Sequence, residues 1–577
     1  MTPRFRVLPA LLLPVALLMA PACSDKGEEA TPGPAAASKP APSGRGSGDE
    51  VRRPHWEDRG DSLVVAVSAD ADGFLPIVNQ QATGGAIMDL IMPSMTDSAF
   101  EDGHLKALPS VAERFEFSAD KKHLTYYMRK DLAWTDGEPI TAHDMAFTYE
   151  LVRDPVVASP RRPFTDNMNP EEPWTVLDDY TIRFNFRFGY NTETMLAHAG
   201  LNLCPKHLLI HEDRAKLRSS PLHIRKPVGH GPFVLTSWKR NQEIVISRNS
   251  RCKVKPVPYL KRVIFKIIPE YETQLTELET GKIDMMETIQ EKDFKKVRAW
   301  GHIKLYKRGY RFLDYIAWNE QKPLFKDRRV RRALTMAIDI KKLIRTLLTF
   351  DGKTFGIQAY STFTPELKDY YDPSFELLPY DPEKARALLA EVGWEDHDGD
   401  GVLDKDGKPF AFTLVTNTGN PRRAEAVVLI ERDLEKIGVK ANLDYREAVT
   451  FFDELRNKNY EAALSGWSAG LFPDPSDIWM SETKEKPRPF NFTAYSNPEV
   501  DAIIEKGLRE PDPEKEAALW RRLHRIIYDD QPYTFLYWKT VHFGLHKRFR
   551  DVKPNVLSVF YRIRDWWVPK AEHKVKF

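Results

Sequence analysis

The chain has 577 residues, with 85 basic against 83 acidic side chains and a net charge of +2. That balance excludes a dedicated nucleic-acid binder, which would carry a basic excess on one domain. At roughly 150 residues per domain the length implies three or four domains. The 42% apolar content is ample for packed cores, and three cysteines are too few for a disulfide scaffold.

Residues 1–23 read as an export signal. Arg4 and Arg6 form a positive start, and residues 7–20 are an apolar run shorter than the ~20 residues a membrane span needs. Ala20-Pro21-Ala22-Cys23 resembles a lipobox, which predicts a lipid on Cys23. Residues 24–60 are Pro, Ala, Gly, Ser and charge, a composition that cannot bury enough surface to fold and predicts a tether. The expected product is an exported body, lipid-anchored to a membrane.

A first strand is expected at 63–67, then a loop over 68–76 and loop and helix over 80–95. From about 98 to 224 short strands alternate with polar turns. The best-defined part is 124–150. Leu124, Tyr126 and Met128 alternate with Thr125, Tyr127 and Arg129, the period of a half-buried strand. Asp136-Gly137-Glu138-Pro139 is turn chemistry, and Thr141 stands at capping-box spacing before Asp144. Phe147 and Leu151 then share one helix face. An alternating strand is predicted over 178–186. Further strands are expected at 243–249, 263–269, 412–417, 440–445, 534–536 and 541–545, with helices over 381–392, 425–437 and 513–528 and a helix followed by a short strand over 272–284. Strand–helix–strand repetition argues an α/β protein.

Several stretches carry a resemblance. Arg129, Lys130, Trp134, Asp136, Gly137, Pro139, Thr141, Ala142, Asp144 and Phe147 resemble the signature of the family 5 extracellular solute-binding proteins, the oligopeptide- and dipeptide-binding components of ABC importers. Asp131 stands where that family usually has Gly. Residues 228–235 resemble its V-G-T-G-P segment with His230 replacing Thr. Gly281-Lys282-Ile283-Asp284, then Asn319 and residues 327–334, resemble later family motifs. The likeness spans roughly 61–553. It implies a two-lobed periplasmic-binding-protein-like fold: lobe I over 61–97 and 225–312, a small inserted subdomain over 98–224, lobe II over 313–537, and a return to lobe I over 538–577. Hinge crossings are expected near 309–317 and 535–541. The resemblance implies a substrate-binding protein that takes a peptide or peptide-like solute by hinge closure and delivers it to a permease, without catalysis and as a monomer. A non-peptide solute such as an oligosaccharide, or an envelope sensor or scaffold, are the alternatives.

Gly466-Trp467-Ser468-Ala469-Gly470 and Asp474 resemble the family's cleft loop, G-W-x-A-D-Y-x-D/E-P. In peptide binders the acid after Ala holds the ligand's amino terminus, and here that position is Gly470. The loss predicts little dependence on a free amine, with Asp474 the nearest substitute, because a buried ammonium needs a paired charge. Gln80, Gln81, Ala82 and Thr83 match the first-lobe edge that pairs with ligand backbone in the family, a β-augmentation mode.

Asp396, Asp398, Asp400 and Asp404, with Gly401 at the sixth position, match the opening of a calcium loop, although position 12 is Gly407 rather than Glu. A charged hairpin turn is the other reading. Export makes a Cys204–Cys252 disulfide chemically accessible. Catalytic signals are poor: Ser118-Ala119-Asp120-Lys121 falls in a turn without a partner motif, His207 and His211 lack the metalloprotease glutamate, and no P-loop or G-x-S-x-G occurs. At helical spacing Val330, Leu334 and Ile338 face a core, so the arginines between 328 and 332 are expected on a solvated face.

Overall fold

The computed structural model describes residues 60–574, except 93, 254, 255, 485 and 489. Cys23, the signal and all but the last residue of the tether lie outside the described residues. Among the described residues no helix is long and apolar enough to cross a membrane.

One mixed sheet runs through the molecule, and two long strands form its spine. Ile303–Trp318 and Tyr533–His546 pair antiparallel along nearly their whole length. On one side the spine meets Met285–Met286, then Ser62–Val67, Arg262–Ile267, Glu243–Arg248 and Phe233–Lys239. On the other it meets Ala462–Ser468, Ala411–Asn417 and Lys440–Arg446. Each half carries its own core. In the first half Leu63, Val65 and Val67 pack on helix Ala82–Ile91, while Ala66 on the opposite face packs with Leu275 and Val297. In the second, helices Arg328–Met336, Ile340–Leu348 and Pro421–Glu435 cover Leu414, Leu464 and Leu536.

The spine is irregular where the halves meet. Its register shifts between Lys307 and Gly309, Tyr310 and Phe312, and Asp314 and Tyr315. Gly309 adopts φ +112°, and a Cβ there would stand 2.6 Å from Glu366 Oε1. The carboxylate instead accepts the Tyr310 amide at 2.8 Å. Glycine is the residue that tolerates this bulge.

A separate four-stranded antiparallel sheet, Ala112–Phe117, His123–Met128, Thr181–Asn185 and Trp174–Asp178, lies under helix Ala142–Arg153. Leu124, Tyr126 and Met128 are buried, and Thr141 and Asp144 form the expected capping box.

Three expectations need correction, and one open alternative is decided. The 178–186 segment is no single strand: Asp178 ends one strand, Asp179 and Tyr180 turn, and Thr181–Asn185 is its hairpin partner. The final strand is not broken between 536 and 541 but continuous. Cys204 and Cys252 are both buried and form no disulfide. Arg331 is buried rather than solvated. Its guanidinium donates to the Asp530, Gln531 and Phe325 carbonyls, satisfying the end of helix Pro513–Asp530.

Candidate ligand-binding site

The two halves meet across a cleft beside the spine, and the four-stranded subdomain closes onto the second half. Asn191, the N-cap of helix Thr192–Ala199, donates its amide to the Leu508 carbonyl at 3.0 Å. Its Nδ2 donates to the Gly507 carbonyl at 3.2 Å and to Glu516 Oε1 at 3.1 Å. His104 Nδ1 stands 3.0 Å from Asp369 Oδ2. At these points the two sides are in direct contact.

The Gly466–Ser468 stretch belongs to a strand rather than a loop; only 469–475 is irregular. Register explains the strand, since Ser468 to Ala462 pair in order with Phe312 to Trp318. Gly466 is required by close approach: a Cβ would meet Arg423 Nη2 at 2.3 Å and Asp314 Oδ1 at 2.5 Å. Asp314 is buried against Arg422 at 2.8 Å and Arg423 at 3.1 Å. Burial pushes its carboxyl up, but the two guanidiniums more than offset this and hold it below the usual carboxylate range. Trp467 is buried in an aromatic stack, with its ring centroid 5.1 Å from Phe492 and 6.0 Å from Tyr315. Ala469 is buried and its amide donates to the Arg311 carbonyl, which uses a backbone group expected to face ligand. Gly470 is exposed.

Asp474 accepts the Ser476 amide at 2.9 Å, at the start of the short helix Ser476–Trp479. Beside it stand two acids that sequence reasoning missed. Asp477, on that helix, is exposed at its tip; desolvation first and Asp474 second raise its carboxyl, Arg488 at 3.3 Å opposes, and Asp166 adds least. Asp166 comes from the opposite side of the cleft. Burial raises its carboxyl too, against His198, Arg162, Arg187 and Arg488. His198 is held neutral by burial, though Asp474 and Asp166 oppose this. The short polar runs holding Asp166 and Asp477 carry no periodic pattern, so only the fold brings them together.

Gln80 and Gln81 lie in the loop entering helix Ala82–Ile91, and Ala82 and Thr83 form its first turn. They present a helix start, not the strand edge expected for β-pairing; the Gln80 amide already donates to Asp72 Oδ2 at 2.8 Å. On the same helix Asp89 is exposed, yet burial within the surrounding protein pushes it up to about 7, with Arg161 opposing and Asp97 adding.

The Asp-rich loop is far less organised for chemistry. Asp396, Asp398 and Asp404 each place one oxygen within 4.8 Å of the others, and Asp400 is outside the group. Asp396 already accepts the Gly399 and Gly401 amides at 2.8 and 3.1 Å, and Asp404 accepts the His397 amide at 2.9 Å. His207 lies 2.9 Å from Asp136 and joins no metal-ligating group among the described residues.

Residues 106–487 match the bacterial extracellular solute-binding proteins, family 5. The oligopeptide-binding protein AppA of Bacillus subtilis is 29% identical over 514 residues, 89% of this chain and 92% of AppA. Heme-binding protein A of Haemophilus influenzae is 27% identical over 451 residues, 75% of this chain and 79% of that protein. The structure of Bacillus subtilis AppA in complex with a nonapeptide superposes with a TM-score of 0.74 at 28% identity, covering 89% of this chain and 99% of that one. The α/β two-lobed fold is thereby the one these proteins share, and the chain belongs to the family 5 bacterial extracellular solute-binding proteins.

Proposed function

We propose that the chain is the solute-receiving component of an ABC importer, that its lobes close about a peptide, and that it passes this peptide to a permease. It acts as a monomer and without catalysis. The observation that carries the reading is the shared fold: the chain superposes on AppA in complex with a nonapeptide with a TM-score of 0.74 over 89% of its length. Asp474 and Asp477 stand at the start of the short helix Ser476–Trp479, where they offer carboxylates to a peptide's amino terminus beside Arg488, 3.3 Å from Asp477. The sequence alone, with Gly470 in place of the usual acid, pointed to indifference towards the amine; the position of Asp477 favours the opposite. Relatives named for oligopeptides support a peptide as the solute.

Calorimetric titration with matched free and N-acetylated peptides tests this. The free amine is expected to bind at least tenfold more tightly, and Asp477→Asn to erase most of that difference. Equal affinities in the natural protein would overturn it. Native mass spectrometry of purified protein identifies the carried solute directly. Anchoring is a second part of the proposal. Cys23→Ala should release the protein into the soluble fraction, because residues 24–60 carry no apolar run that could replace the lipid; a variant that stays membrane-bound in high salt would refute it.

A further inference from the structure

The first half of the molecule carries a second concave feature, on the sheet face opposite helix Ala82–Ile91. It is a groove of about 360 Å³ beside helix Phe294–Ala299. Arg298, Lys304, Lys307 and Lys547 line it, and all four are exposed. No acidic side chain lines the groove, and none of the four cations is ion-paired with a described residue. Its floor is Ile303, Leu305 and His542. His542 is only 8% exposed, and its Nδ1 has no hydrogen-bond partner among the described residues. Its ring is wedged between Phe294 and Phe355, at 4.7 and 5.6 Å, which fixes where Nδ1 points. Burial pushes the imidazole down to about 4, so it is neutral near pH 7 and adds no charge to the floor.

The groove sits where the N-terminal segment departs. Lys547 donates its amide to the carbonyl of His302, the residue before Ile303. Its neighbour Arg548 is buried in ion pairs with Asp61 and Asp284, and Asp61 is the second described residue. The basic rim and the root of the preceding 59 residues therefore share one edge.

We propose that this groove docks on the phosphate groups of an anionic lipid surface, so that the body rests with this edge against the membrane. Four cations without acids match a phosphodiester surface in charge, and the Arg298 guanidinium supplies directional hydrogen bonding that lysines alone lack. The inference is independent of which solute the cleft takes. It needs only a membrane nearby, and its test dispenses with the acyl group.

The experiment is cosedimentation of the chain from residue 23 onward, carrying Cys23→Ala, with vesicles of phosphatidylcholine with or without phosphatidylglycerol. Binding is expected to the phosphatidylglycerol vesicles alone and to fall with salt. Lys304→Ala, Lys307→Ala and Lys547→Ala combined should weaken it roughly 100-fold, from ~1 kcal/mol per lysine. The matched control Lys341→Ala, Lys384→Ala and Lys440→Ala, three exposed lysines of the second half, should leave it unchanged. No binding, equal binding to both vesicle types, or equal loss in both triple variants overturns the proposal. So does a thermal upshift with inorganic phosphate, lost in the groove variant, without vesicle binding: that assigns the groove to a free anion.

Discussion

Closure of this protein is expected to be linked to protons through Glu193 and Glu516. Glu516, on helix Pro513–Asp530, is buried and accepts from Asn191 Nδ2 at 3.1 Å and Trp520 Nε1 at 2.9 Å. Glu193 approaches it from helix Thr192–Ala199 on the other side of the cleft. Burial pushes Glu193 up to about 7. Burial first, and the Glu193 charge second, push Glu516 up to about 8; Glu510 adds to this, and hydrogen bonds from Trp520 and Tyr370 oppose it. Opening separates Asn191 and Glu193 from Glu516 and admits water between the two carboxyls, so both values fall towards the ~4.3 of a solvated carboxyl. Both values are raised in the closed state, so their contribution to closure is full below the open-state value. It is lost as pH rises through about 7 to 8. Counting the pair as one proton taken up on closing, the closed fraction relative to open should fall ~10-fold per pH unit, ~1.4 kcal/mol, until both are ionised. Small-angle scattering across that window should show the radius of gyration growing with pH. Glu193→Gln combined with Glu516→Gln keeps the Oε1 acceptor for Asn191 and Trp520 but removes the titration, so that variant should stay compact throughout. The same pH response in the double variant, or opening on acidification, would refute the reasoning.

Gly466→Ala forces a methyl into the Asp314–Arg423 ion pair, and chemical denaturation should show a loss of ~1–3 kcal/mol with the midpoint lowered; an unchanged midpoint would show that Arg423 can swing aside at no cost. Trp467→Ala empties a position stacked between Phe492 and Tyr315, so its main effect should be ~3–5 kcal/mol of stability. A variant of native stability with weakened solute binding would return the ring to the cleft. The Asp396–Asp404 loop holds its turn through its own amides, so EDTA should leave Tm unchanged. A chelator-sensitive Tm that Asp398→Ala abolishes would make the loop a calcium site instead.

Local chemistry made much of the fold readable. The capping box at Thr141 and Asp144, the Asp381 cap before Pro382, and the Gly393 stop at φ +85° each act over a few residues, and each stands where the sequence placed it. What failed to show was long-range. A strand buried on both faces loses its alternation, so Tyr533–His546, buried at nearly every position, read as two short pieces. Gly466–Ser468 read as loop because Gly and Ser are turn residues, yet pairing with Phe312–Asp314 overrides that preference. Arg331 looked solvated because three neighbouring arginines are; only the arrival of the Asp530 and Gln531 carbonyls explains its burial.

The cleft was legible in a different sense. A family pattern assigns roles to positions, so it directs attention to Gly470 and to the missing carboxylate there. It does not say that the opposite wall, Asp166, and a helix just downstream, Asp477, bring acids to the same space. Charge recognition is a property of the field at a point, summed over whatever groups the fold places around it. Asp474 alone has one face committed to Ser476, and a substitution table would count it as a weak replacement. Asp166 and Asp477 stand near it, answered by Arg488 at 3.3 Å from Asp477 and by Arg162 and Arg187 around Asp166, so acids and guanidiniums set the field there together. A peptide ammonium gains the Asp474 and Asp477 carboxylates in full only when the lobes close over it. That asymmetry is what a solute-binding protein requires, because a ligand shifts the open–closed population only through a difference in its interaction with the two states.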